Sequence, residues 1–64
     1  MMENLPSAVE KVYRLHMLSL GTEVRKEHEG QIEKVEWNEA EQVYNVYFKN
    51  GNWWHYDTIN NTWY

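Results

Sequence analysis

Apolar positions along the 64-residue chain change period once, near Gly21. Before it, Leu5, Ala8, Val9, Val12, Tyr13, Leu15 and His16 fall on one side of a 3.6-residue period, and Ser7, Glu10, Lys11 and Arg14 form a polar stripe on the other. That spacing predicts a helix over 7–19. Ser7 followed three residues later by Glu10 fits a capping box, Glu10 and Arg14 are a favourable i,i+4 pair, and Gly21 is a natural stop. A helix this short needs a surface to pack on.

After Gly21 the period becomes two, the signature of strands. "TEVRK" (22–26) reads as the first and is followed by the loop "EHEG". "QIEKVEW" (31–37) reads as the second, "NEAE" (38–41) as a four-residue turn, and "QVYNVYFK" (42–49) as the third and strongest. Asn50-Gly51 predicts a two-residue type I′ hairpin into "NWWHYDTI" (52–59), and Asn60-Asn61 a second tight turn into "TWY". These turns set the register, and the register sets the faces. Phe48 is expected opposite Trp53, Tyr47 opposite Trp54, Val46 opposite His55, Thr58 opposite Trp63, Trp37 opposite Gln42 and Val35 opposite Tyr44. One face then gathers Val35, Trp37, Tyr44, Val46, Phe48, Trp53, Ile59 and Tyr64 and is expected to be the core. The other gathers Ile32, Val43, Tyr47, Trp54, Tyr56 and Trp63 among Lys34, Glu36, Asn45 and Lys49. Tyr47, Trp54, Tyr56 and Trp63 are the expected binding residues, because Trp and Tyr anchor interfaces; cover by the helix or by the curl of a barrel is the competing account of that face.

The pattern from Gly21 resembles small SH3-like barrels of the Tudor and KOW-like type. Gly21 and Val24 stand for their Gly-x-x-Val strand, Gly30, Ile32 and Val35 for Gly-x-Ile-x-x-Val, and Tyr44, Val46 and Phe48 for Tyr-x-Val-x-Phe. The likeness covers about two-thirds of the chain. It implies a mainly β domain with one N-terminal helix (about 7–19) and an SH3-like antiparallel barrel over 22–64; the alternative is an α+β fold with the helix on an open antiparallel meander. It also implies a binding module for peptides, modified side chains, RNA or sites on larger complexes. "VRK" and "GQI" are similar to plasmid-type dihydrofolate reductases, but their Val-Gln-Ile-Tyr segment is absent and no active site carries over. "NGNWWHYD" resembles one turn of a choline-binding repeat, a fold that needs several tandem copies.

Composition narrows the function. Residues 1–64 make one domain, which at this size buries only roughly 60% of its unfolded surface. With no cysteine, stability must come from aromatic packing or self-association. The formal charge is −4, nine of the ten acids are glutamate, and the excess sits in 21–41. That disfavours nonspecific nucleic-acid binding, which needs a basic footprint. It suits a basic protein partner and leaves nucleic-acid mimicry open. His16, His28 and His55 are far apart, His28 reading as a solvated loop residue and His55 as a core one, so neither a metal nor a cofactor is expected. No catalytic residue is assigned: the two serines lack a nearby His and Asp, and Glu33 and Glu36 point to opposite faces of a strand. The expected protein is a cytoplasmic, non-enzymatic binding or regulatory protein acting by protein–protein contact, in the style of phage and mobile-element accessory proteins. Residues 1–9 do not read as a secretory signal, and no apolar run exceeds three residues, so no membrane partner is expected. A homodimer is the expected assembly, because Tyr13, Leu15, Met17 and Leu18 spread apolar surface over more than half of the helix. A nucleic-acid-associated module and an oligomeric enzyme with a shared site are the alternatives.

Overall fold

The computed structural model describes residues 5–64. Helix α1 spans Ser7–Ser19 as its periodicity predicts, and α2 spans Thr22–His28. Four strands follow in an antiparallel meander: β1 (Ile32–Asn38), β2 (Val43–Phe48), β3 (Trp53–Asp57) and β4 (Thr62–Trp63), in the spatial order β1-β2-β3-β4. Among the described residues β1 and β4 do not pair with each other, so the sheet is open and the chain is a small α+β domain.

The predicted strand at 22–26 is therefore helix α2. Only Val24 in this segment is a strand-favouring apolar residue, while Glu, Arg and Lys are good helix formers. Glu23 lies in its first turn and Arg25, Lys26 and His28 in its last, in accord with the helix dipole. The capping box does not form either. Pro6 occupies the N-cap position and Ser7 is already helical, so the Ser7 hydroxyl caps nothing. Glu10 is free to meet Arg14, 3.6 Å away.

Each hairpin differs from its sequence-predicted register. Between β2 and β3 the pairs are Tyr47↔Trp53, Val46↔Trp54 and Asn45↔His55, one residue from expectation. Gly51 has φ 93° whereas Asn50 is not left-handed, so the loop is the three-residue Lys49–Gly51 closed by Gly51 N–H to the Phe48 carbonyl (3.0 Å). Asn50 is held elsewhere: its side-chain amide donates to the Glu27 carbonyl at 3.1 Å, and its oxygen accepts the Asn52 N–H at 3.0 Å. The β1–β2 turn slides to 39–42 with Gln42 at φ 59°, giving Trp37↔Tyr44 and Val35↔Val46. This shift is even and leaves the predicted faces of Val35, Trp37, Tyr44, Val46 and Phe48 unchanged, but a bulge between Ile32 and Lys34 pairs Ile32 with Phe48 and turns it from the expected outer face to the core. The last loop is 58–61, with Asn61 at φ 56° and the Asp57 carboxylate accepting the N–H groups of Ile59 and Asn60 at 3.0 and 3.1 Å. Ile59 thus sits in a loop, 79% exposed, instead of in the core.

Val9, Val12, Tyr13 and Met17 of α1 pack on Val46, Phe48 and Tyr56 of the inner sheet face, with Trp54, Trp63, Tyr44, Val35 and Ile32 around them. Two buried histidines complete this core. The His16 ring lies among Phe48, Trp54, Tyr56 and Trp63, and His28 lies against Phe48 and Trp54. His28 is not a solvated loop residue. Its Nδ1–H donates to the Val24 carbonyl (2.8 Å) and its Nε2 accepts from the Asn52 amide (3.0 Å), which clamps seven-residue α2 onto the β2–β3 hairpin.

The turn geometry makes a direct prediction. A Cβ at Gly51 meets nothing within 4 Å, so only its left-handed backbone opposes a side chain. Gly51→Ala is expected to lower the urea-derived stability by roughly 1–2 kcal/mol, and Gly51→Asn by less, since asparagine visits that region more readily. Equal stability of Gly51→Ala and the parent would contradict the three-residue loop.

Candidate functional site

The register change reverses the two adjacent tryptophans. Trp54 turns inward beside Val46, and Trp53 turns outward beside Tyr47. Of the four residues expected to bind, Tyr56 is fully buried, and Trp54 and Trp63 are partly buried against the core. Only Tyr47 lies on the outer face. The structure thus does not bring these four together on one accessible surface.

It assembles a different row. On the outer face Tyr47 stacks on Trp53 at 5.5 Å with 21° between planes, Trp53 meets His55 edge-on at 4.9 Å, and His55 meets Tyr64 at 4.7 Å. Lys34 Nζ lies 4.8 Å from the centre of the Tyr47 ring and closes one end of the row. Strand pairing sets this order, since Lys34↔Tyr47 and Tyr47↔Trp53 are cross-strand neighbours and the His55 and Tyr64 backbones exchange two hydrogen bonds of 2.8 and 3.0 Å. Trp53 is 48% and Tyr64 58% exposed.

Polar contacts fix the rings. His55 Nδ1–H donates to Asn45 Oδ1 at 2.9 Å, so His55 is an outer-face residue and not the core histidine its predicted register implied. Tyr64 donates its hydroxyl to Glu41 at 3.0 Å, and this bond raises the phenol above its ordinary pKa. Asp57 is held below the usual carboxylate range by hydrogen bonds from Asn60. The surface is therefore a rigid aromatic row with acids at its Tyr64 end and a lysine at its Tyr47 end.

A two-residue loop at Asn50-Gly51 turns Trp53, His55 and Tyr64 inward, which hides them as surface residues in the sequence. Reading Asn50-Gly51 as the end of a three-residue loop would have set Trp53 beside Tyr47. Elsewhere, an open groove of about 320 Å3 follows Ser7, Glu10, Lys11, Arg14 and Leu15, all side chains of α1. Among the described residues no three His, Asp or Glu side chains converge as a metal site, and no helix is long and apolar enough to cross a membrane.

Fold and site together define a small α+β domain with helices on one face of an open meander and a half-exposed aromatic row on the other. No family model, no curated protein and no solved structure matches the chain.

Proposed function

We propose that this chain is a small non-enzymatic binding or regulatory protein that acts by protein–protein contact through the outer face of its sheet. The observation that carries this reading is the continuous row Tyr47, Trp53, His55 and Tyr64. Large rings held in place by strand pairing lose little freedom on binding, and Trp and Tyr are the residue types that dominate interface energetics. Glu41 and Asp57 at the Tyr64 end, with a chain charge of −4, favour a basic partner. A cytoplasmic accessory role of the phage or mobile-element kind suits a domain of this size.

Trp53 is the anchor. Its truncation removes a half-exposed ring that the core does not use, so Trp53→Ala is expected to keep the circular dichroism spectrum and thermal transition of the parent. Affinity capture from the source cell's lysate is expected to lose the bound protein, corresponding to about 2 kcal/mol or more for a hot-spot residue. Capture of the same protein at the same yield by the variant would remove the outer row from the interface.

A second reading rests on the same row, because successive rings also stack on bases of a single strand. Lys34 supports it and the surrounding acids oppose it. Gel-shift titration at low salt separates the two: tight single-strand binding that Trp53→Ala abolishes would replace the protein partner with a nucleic acid.

A further inference from the structure

The outer edge of β1 is the longest strand edge in the molecule that no described residue pairs with. Its backbone direction follows from β2. Phe48 bonds to Asn52 on the β3 side, so the alternation of antiparallel ladders turns Val43, Asn45 and Tyr47 towards β1. The bond from Lys49 N–H to the Gln31 carbonyl (2.8 Å) agrees. Lys34, Glu36 and Asn38 therefore spend their backbone groups on β2, and Val35 and Trp37 present theirs to the open edge.

We infer that this edge pairs with β1 of a second copy, across a two-fold axis at Val35, to give a dimer with a continuous eight-stranded sheet. The side chains select both the partner and the register. A two-fold axis normal to the sheet must pass through a residue, because opposed side chains have to share a face. An axis at Val35 sets Lys34 opposite Glu36 of the other copy, and Glu36 opposite its Lys34. Moving the axis to Lys34 opposes two lysines, and moving it to Glu36 opposes two glutamates. Like charges directly opposed are destabilising.

Within one chain Lys34 and Glu36 are already 3.6 Å apart, so the paired edges form a four-charge network of alternating sign. With Val35 as the hydrogen-bonded pair, these charges fall in the more closely spaced, non-hydrogen-bonded positions. On the inner face the two Val35 side chains meet, and each Trp37 comes diagonal to the other copy's Val35, within reach of an aromatic ring. Trp37 is 46% exposed in the single chain although its strand position faces inward, and this pairing covers it. The edge shares Lys34 with the Tyr47 end of the outer aromatic row, but the inference rests on backbone direction and charge order and does not depend on the proposed function.

Sedimentation equilibrium across a wide dilution series tests the edge. The parent is expected to dimerise reversibly. Lys34→Glu and Glu36→Lys, both at exposed positions, are expected to stay folded by circular dichroism and to self-associate at least roughly tenfold more weakly, since each turns two attractive pairs into repulsive ones. An equimolar mixture of the two is expected to regain dimers, because each copy then supplies the charge that the other lacks. The double variant K34E/E36K is expected to dimerise like the parent. A parent that stays monomeric at the highest concentration overturns the inference. So does parent-like dimerisation of both single variants, failure of the mixture to restore dimers, or growth into open polymers.

Discussion

Tyr56→Ala is expected to unfold the domain. Tyr56 is wholly buried, and it holds the His16 ring through a 2.7 Å hydrogen bond to Nδ1. Removing a buried ring of this size costs about 3–5 kcal/mol, and the substitution also strands the His16 nitrogen. A 64-residue domain has only roughly 3–10 kcal/mol to lose. Tyr56→Phe keeps the packing and removes only the hydroxyl, so it is expected to cost roughly 1–3 kcal/mol and leave a folded protein. Urea denaturation followed by circular dichroism distinguishes the pair. A folded, fully stable Tyr56→Ala would mean that Tyr56 lies on the surface, as its sequence-predicted register had it, and that the observed β2–β3 pairing is wrong.

The contrast between Tyr56 and Trp53 shows what the chain discloses by itself. Helix α1, strands β1 to β3 and the existence of each turn follow from the period of apolar residues, because periodicity reports burial on one face, and the short β4 follows from the Asn60-Asn61 turn before it. Loop length does not follow from it. The Asn50-Gly51 pair suits a two-residue or a three-residue loop, and the choice falls to contacts remote in sequence: the Asn50 amide on the Glu27 carbonyl and Asn52 on His28. A single residue of loop then moved Trp54 and Tyr56 inward and Trp53 and His55 outward. The segment 22–28 was illegible for a related reason. Its one apolar residue carries no period, and what anchors it is His28, a polar residue whose burial depends on the Phe48 and Trp54 rings. The aromatic-rich end of the chain therefore serves both as core and as surface, but the division between the two is made by turns that tertiary contacts select.

Those same contacts make the core sensitive to acid. His16 is 1% exposed, and burial among rings, with the neighbouring His28 as the smaller cause, lowers its pKa from 6.5 to about 4. The folded state thus resists a proton that the unfolded chain accepts. Between pH 6.5 and about 4 the unfolded state binds more protons, so stability is complete above pH 6.5 and is lost as the pH falls through that window. The loss approaches about 3 kcal/mol at the acid end, from roughly 1.4 kcal/mol for each pH unit of the shift. In a domain this small that is a large share of the total. Glu39, held low by the Trp37 indole N–H and then by Gln42, and Asp57, held low by Asn60, also favour the fold at higher pH. Their unfolded-state values of 4.5 and 3.8 place their effect at the acid limit of the window, below most of the His16 titration. Urea midpoints are therefore expected to fall steadily from pH 7 to pH 5, before the carboxylates contribute. His16→Gln keeps a hydrogen-bonding side chain beside Tyr56 and cannot titrate, so whatever its absolute stability, its slope over that interval is expected to flatten. A parent with equal stability at pH 7 and pH 5, or a His16→Gln variant with the parent's slope, would show that the buried imidazole does not control the response to acid.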